Sequence, residues 1–401
     1  MKPWYDRLHE KFASSSIKKK ETADDIKKWQ DFIKEIKEPR DYIEASYDRY
    51  RCRMYHFSTA KKFVMNVFGF GALFIEFFYI LTAKDHKHEP EKGKVLIERA
   101  RDIPDYSDIV PEDELSKYRN LEVIDNFNKK FAPICKTARK MLLECIKAHP
   151  FSFFYIYFIY MELATHSHIL INYNPEVVFV YINERNIASP VLTSMYENES
   201  RELCSFMHGE YPLQLIMAFM SFSKYYVWDD SYINMFRNDL RCQIKEYVVY
   251  TPKKLRKKWD LENNVPTYFC TYYFSGESEE SVIKVAEALL KFHKKGKQCS
   301  VRPHPRDLLH RKLLEETFKG TDICIENALE FPLKDSLGRT EYVVGLQSTV
   351  LSEAFIEGKQ IVLDDFSDGE HFDILQMQKF NVLNKPHLLF SELINQVCAE
   401  S

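Results

Sequence analysis

The feature that most constrains this chain is a stretch from Cys299 to Asp365 in which one pattern occurs twice. A short apolar run ends in polar or cationic residues, and a helical pattern follows. The first run, Cys299-Ser300-Val301, ends in Arg302-Pro303-His304-Pro305-Arg306-Asp307. The second, Tyr342-Val343-Val344, ends in Gly345-Leu346-Gln347-Ser348-Thr349 and leads through Glu353 and Ala354 to Gln360-Ile361-Val362-Leu363. Strands alternating with helices at this spacing build a parallel sheet covered by helices. Such a sheet presents ligands with the loops at the carboxyl ends of its strands. Arg302, His304, Arg306, Ser348 and Thr349 are donors at those ends, as are the backbone N–H groups where helices begin, and all suit an anion such as a phosphate.

The same alternation runs upstream. Val177–Ile182 leads into Asn183-Glu184, Leu203–Met207 into His208-Gly209-Glu210, and Tyr225–Trp228 into Asp229-Asp230, with Tyr247–Tyr250 as a further strand. The pattern predicts helix over 213–222. It divides the chain into a helical N-terminal extension over 1–120, a first α/β domain over 121–252, a second over 265–385, and a C-terminal helix over 386–401. The Lys- and Arg-rich segment 253–264 is the linker. Residues 85–120, with Pro90, Pro104, Pro111 and many charges, predict an irregular connection. A long helix is expected from about Leu121 to Ala148, where His149-Pro150 ends it.

Charge and cysteine usage exclude several classes. Net charge is −3, so no global field recruits nucleic acid. The nine cysteines are scattered, with no C-x-x-C pair, which argues for a reducing, cytoplasmic setting. No apolar secretory core is visible in the first twenty residues. Phe63–Ala83 is apolar apart from Asn66, Glu76 and Thr82, and Lys61-Lys62 and Lys84 flank it. Its length approaches the roughly 20 residues of a bilayer span. Glu76, Gly69 and Gly71 count against a span and for a buried or membrane-surface helix, so peripheral contact with an inner membrane is one expectation.

Candidate chemistry follows from residue types at strand ends. His304 lies between two prolines, each of which fixes its own φ and restricts its predecessor. A rigid imidazole there can donate to a phosphate oxygen or protonate it as a leaving group departs; an exposed turn histidine is the blander account. Ser348 and Thr349 can seat a phosphate at a helix start or simply cap it. Glu353, one turn on, can accept from a ribose hydroxyl or only favour the helix dipole. On the first domain Glu210, beside His208-Gly209, is the first choice of general base, and Glu184, Asp229 and Asp230 compete with it. Glycine-rich phosphate loops, G-x-S-x-G elbows, H-E-x-x-H and strand-end D-x-D elements are absent from the sequence. A metal-independent reaction follows, with cations and helix dipoles neutralising the leaving phosphate.

The elements Arg302-Pro303-His304-Pro305, Gln347-Ser348-Thr349 and Glu353-Ala354 resemble those of bacterial sialyltransferases and polysialyltransferases of the two-Rossmann (GT-B) type. The likeness covers roughly the last third of the chain well and residues 168–250 more loosely. It implies two facing Rossmann-like domains and a CMP-sugar donor, carrying sialic acid or a related ulosonic acid, with no further cofactor. His304, Ser348 and Thr349 would bind the CMP phosphate. A glycan or glycolipid would be the acceptor, in bacterial capsule or lipooligosaccharide assembly at the cytoplasmic face of the inner membrane. The sequence departs from the family's third motif, a pair of acids followed by glycine. Asp229-Asp230 is followed by Ser231, and Glu210 is preceded by glycine. A CDP-polyol phosphotransferase, with comparable His-Pro and Ser-Thr elements, and a non-catalytic glycan-binding scaffold are the alternatives.

Overall fold

The computed structural model describes residues 21–87, 89–99, 110–125, 133–181, 184–207, 209–252, 267–304 and 308–399. The chain divides into two compact units. One comprises 1–208 with 213–252, and the other 209–212 with 253–401.

The first unit is built on a six-stranded, all-parallel sheet. Its strands are β1 (Glu91–Arg99), β2 (Asn120–Asp125), β3 (Pro175–Tyr181), β4 (Glu202–Phe206), β5 (Ser221–Val227) and β6 (Gln243–Val249), in the order β2-β1-β3-β4-β5-β6. Central strands of such a sheet are covered on both faces, which is why β4 and β5 read as nearly continuous buried runs without alternation. The second unit repeats the architecture with β7 (Tyr268–Tyr273), β8 (Cys299–Arg302), β9 (Cys324–Ile325), β10 (Thr340–Gly345), β11 (Gln360–Leu363) and β12 (Leu388–Leu389), ordered β12-β11-β10-β7-β8-β9. Numbered within the unit, that is 3-2-1-4-5-6 read from the other edge, the dinucleotide-fold order whose switch point lies between its first and fourth strands. The chain is therefore an α/β protein of two Rossmann-like sheets with N-terminal helices, a GT-B-like architecture.

Helices cover the sheets for local reasons. Glu279–Lys294 starts at Ser278, whose Oγ accepts from the Ser281 N–H at 3.2 Å, and it buries Val282, Val285, Ala286, Leu289 and Phe292 at helical spacing. Ala23–Glu35 opens on a capping box between Thr22 and Asp25 and buries Ile26, Trp29 and Ile33. Phe153–Asn172 has apolar residues all round and is mostly buried.

The N-terminal helices are tied into the first unit rather than appended to it. Arg49, on the helix Tyr42–Met54, is buried and satisfies loop carbonyls between the strands. Its Nη2 donates to Glu184 O (2.6 Å), its Nε to Asn186 O (3.0 Å), and its Nη1 to Met217 O (3.1 Å) and Ala218 O (2.7 Å). Burial pulls its pKa down to about 10, so it stays charged at neutral pH.

Three local expectations differ from the structure. Residues 91–99 form a strand in which only Val95, Leu96 and Ile97 are fully apolar; those three are buried between β2 and β3, and the surrounding charges masked them. Residues 120–125 form the edge strand β2, and the helix begins only at Lys136, capped by Cys135. Residues 213–222 hold a single 3₁₀ turn, Leu215–Met217, before Phe219 at φ +58° and the start of β5. A buried apolar run carries no period that tells helix from strand. The linker 253–264 lies outside the described residues.

Two outcomes follow. Arg49→Met strands the loop carbonyls and should lower unfolding free energy by about 3 kcal/mol in a denaturant titration. His166, on Phe153–Asn172, is buried with its Nδ1 3.0 Å from the Tyr196 hydroxyl, and burial pushes its pKa down to about 4. The folded state thus refuses a proton that the unfolded chain accepts. Stability should fall as pH drops from the ordinary histidine range towards 4, and His166→Gln should flatten that part of the Tm–pH curve.

Candidate functional site

The carboxyl edge of the second sheet is laced together by strand ends. The Phe274 N–H, just past β7, donates to Arg302 O at 3.1 Å, and the Asp364 N–H, just past β11, donates to Gly345 O at 3.0 Å. At Gly345 a Cβ would stand 3.1 Å from the Tyr273 carbonyl oxygen, so glycine lets β10 turn hard against β7. Asp364 is buried and accepts from the Tyr272 hydroxyl (2.5 Å), from the Phe366 and Ser367 N–H groups (each 2.9 Å) and from the Ser367 hydroxyl. This carboxylate ties the ends of β7 and β11 across β10, next to the switch point.

Two loops leave that edge on either side of β7. After β10, Ser348 caps the eight-residue helix Thr349–Ile356, its Oγ accepting from the Val350 N–H at 3.2 Å. Ser348 and Thr349 are half-buried, as is Glu353. Gln347, just before them, meets His371 Nε2 through its Oε1 at 3.2 Å. After β8, Pro303 and His304 follow the strand and His304 is exposed. One strand separates β8 from β10, so neighbouring spacings place the two strand ends about 10 Å apart. Arg306 lies outside the described residues.

Arg302 does not stand in the open. Its guanidinium is 9% exposed; Nη1 donates to Glu326 Oε2 at 3.0 Å and Nη2 to Phe331 O at 2.8 Å. Ser336 donates to the same Glu326 oxygen at 2.5 Å. The arginine is thus spent on anchoring the segment 326–336 to the end of β8, a role that its place in a cationic motif does not reveal.

Glu210 is placed differently from its expected grouping with the first sheet. The segment 209–212 belongs to the second compact unit. There the half-buried Glu210 carboxylate accepts from the Ser352 hydroxyl, on the helix that Ser348 begins. A Cβ added at Gly209 would lie 3.7 Å from Thr349 Oγ1. Ser348, Thr349, Ser352, Gly209 and Glu210 therefore form one neighbourhood. Ser352 was legible in principle, being one helical turn past Ser348. His208 lies outside the described residues.

The remaining acids separate by burial. Glu184, past the end of β3, is fully buried; its Oε1 accepts from the Tyr225 hydroxyl at 3.3 Å and its carbonyl from Arg49. Past β5, Asp229 is half-buried and accepts from the Ser231 N–H at 2.9 Å, while Asp230 is exposed. A carboxyl that the motifs did not single out is Glu277, past β7. It is buried and accepts from the N–H groups of Ser275 (2.7 Å) and Gly276 (2.9 Å). Burial pushes its pKa up, the backbone donors pull part of that back, and the Asp364 charge raises it again. Among the described residues no group of three His, Cys, Asp or Glu is placed to hold a metal ion.

No protein family matches the sequence, and no curated protein matches it. Solved structures align with it at low identity. The wall teichoic acid polymerase TagF is 10% identical with a TM-score of 0.44, over 85% of this chain and 88% of that one. UDP-GlcNAc 2-epimerase from Methanocaldococcus jannaschii is 14% identical with a TM-score of 0.41, over 76% and 91%. S. aureus MnaA, solved with UDP, is 9% identical with a TM-score of 0.39, over 67% and 78%. The likeness is one of fold alone.

The cap is checked on its own. Ser348→Ala removes the acceptor for the Val350 N–H and should cost about 1 kcal/mol of stability in a thermal melt, while Ser348→Asp should restore most of it.

Proposed function

We propose that the protein is a metal-independent glycosyltransferase whose CMP-sugar donor lies at the carboxyl edge of the second sheet. The observation that carries this reading is the strand order β10-β7-β8, which sets the loops of Ser348 and His304 on either side of the switch-point strand of one unit. An anion there would meet the N-terminus of Thr349–Ile356 and its N–H groups, with the Ser348 and Thr349 hydroxyls beside them. His304 would donate to the departing phosphate, and Glu353 would accept from the ribose. Arg302 acts by positioning, holding the β8 end through Glu326 and Phe331 O. We extend the donor contacts to Arg306 on the sequence motif alone.

The transferred sugar is taken to be sialic acid or a related ulosonic acid, by the likeness of the His-Pro and Ser-Thr elements. A glycan hydroxyl would attack the anomeric carbon as the bond to CMP breaks, with Glu210 taking the hydroxyl proton. Glu210 is preferred because it keeps solvent access and belongs to the neighbourhood of Thr349, whereas Glu184 is sealed from solvent. Asp229 and Asp230 remain on the acceptor side of the proposal. The proposed setting is the cytoplasmic face of a bacterial inner membrane, where surface glycans are assembled.

CMP should raise Tm, by the equivalent of about 2.7 kcal/mol at a hundredfold excess over its Kd, and UDP should not. With CMP-sialic acid and CMP-Kdo as donors, mass spectrometry should detect sugar transfer. His304→Ala should reduce it by about a hundredfold or more without moving the apo Tm. Stabilisation by CMP without turnover of either donor, or turnover of a CDP-polyol instead, would overturn the glycosyltransferase reading.

A further inference from the structure

The helix Thr59–Leu81 is inverted relative to a helix that packs its apolar stripe inward. Phe63, Val67, Phe70, Phe74, Phe77 and Leu81 recur at spacings of three and four, which places them on one face. That face points outward: Phe63 is 69% exposed, Phe74 76%, and the other four between 52% and 55%. The opposite face packs on Phe153–Asn172. Gly69 permits this, since a Cβ there would stand 2.5 Å from Phe154 backbone atoms. Two polar side chains in the body of the helix, Asn66 and Glu76, are turned towards Phe153–Asn172. Glu76 is buried and accepts from the Tyr160 hydroxyl at 2.9 Å; Asn66 Nδ2 donates to Phe151 O at 2.7 Å and its Oδ1 accepts from the Phe154 N–H at 3.1 Å. Phe151, whose carbonyl Asn66 holds, is itself 81% exposed.

We propose that this outward face lies in the interfacial layer of an anionic lipid bilayer, with the helix axis parallel to the surface. A contiguous large-apolar face of this size marks an interaction site. At 23 residues the helix is roughly 34 Å long, and the aromatic stripe runs along its whole length. Among the described residues no helix is long and apolar enough to cross a membrane; on this proposal the face meets lipid from the side. Lysines flank both ends: Lys61 and Lys62 at the start, and the exposed Lys84 and Lys87 after the end. The exposed Asp85 is neutralised by Lys136 at 2.7 Å. Cations at both ends of an aromatic face complement anionic headgroups. They also disfavour a second copy of this chain, because parallel and antiparallel pairing of the face both set lysine against lysine. The inference stands apart from the transfer reaction and holds whatever the donor is.

The test is sedimentation of the full chain with vesicles of phosphatidylcholine alone or with about one third phosphatidylglycerol. The protein should bind the anionic vesicles at low salt, and the paired change Phe63→Ser with Phe74→Ser should weaken binding by about tenfold or more at an unchanged Tm. Both side chains point away from the protein; if that pair does not fold, Val67→Asn serves the same purpose. Lys61→Gln with Lys62→Gln should lower the preference for anionic over neutral vesicles. Binding that survives the apolar changes, absence of binding to either vesicle, or a dimer in solution that the Phe63 and Phe74 changes dissolve would each overturn the proposal.

Discussion

Parallel pairing is the constraint from which the rest follows. Every strand of both sheets runs the same way as its neighbours, so within each unit the carboxyl ends all emerge at one edge. Loops there are brought together by topology before any side chain is chosen. The chain then spends specific groups on closing that edge. Asp364 holds Tyr272 and the turn at Ser367, Gly345 lets β10 press against β7, and Arg302 pins the end of β8 through Glu326. Ser348 and His304 inherit their placement from this frame.

Buried charge does different work in the two units. In the first, Arg49 is a single cation that satisfies neutral carbonyls from separate loops, and it binds the N-terminal helices to the sheet. In the second, Arg302 is paired with an acid and fixes one strand end. Removing either leaves a buried partner unsatisfied, which costs more than the net worth of the bond itself. Both arginines are therefore better understood as joints than as surface chemistry.

The α/β character was legible because parallel strands such as Pro175–Tyr181 and Thr340–Gly345 are dense in β-branched and aromatic residues, and because proline and glycine punctuate them. β1 was hidden because its buried core is only Val95-Leu96-Ile97, set among charges that a strand can point aside at its ends. The layout of the candidate site was legible where a motif coincides with a strand end, as where Ser348 caps the helix after β10. It was not legible where long-range packing decides. Nothing local indicates that Arg302 turns onto Glu326, that Glu184 is sealed beneath Tyr225, or that Glu210 meets Ser352. Glu277 gave no signal because its environment is made by backbone donors and a carboxylate distant in sequence.

The polar bonds beneath Thr59–Leu81 also settle its rotational setting. Turning this helix half a revolution would hide the phenylalanines, yet it would carry the Glu76 carboxylate away from Tyr160 and tear Asn66 from the Phe151–Phe154 backbone. Those bonds act as dowels along the length of one rod. The orientation of its aromatic side is consequently locked from the opposite side of the rod, by groups that face away from the surface they control.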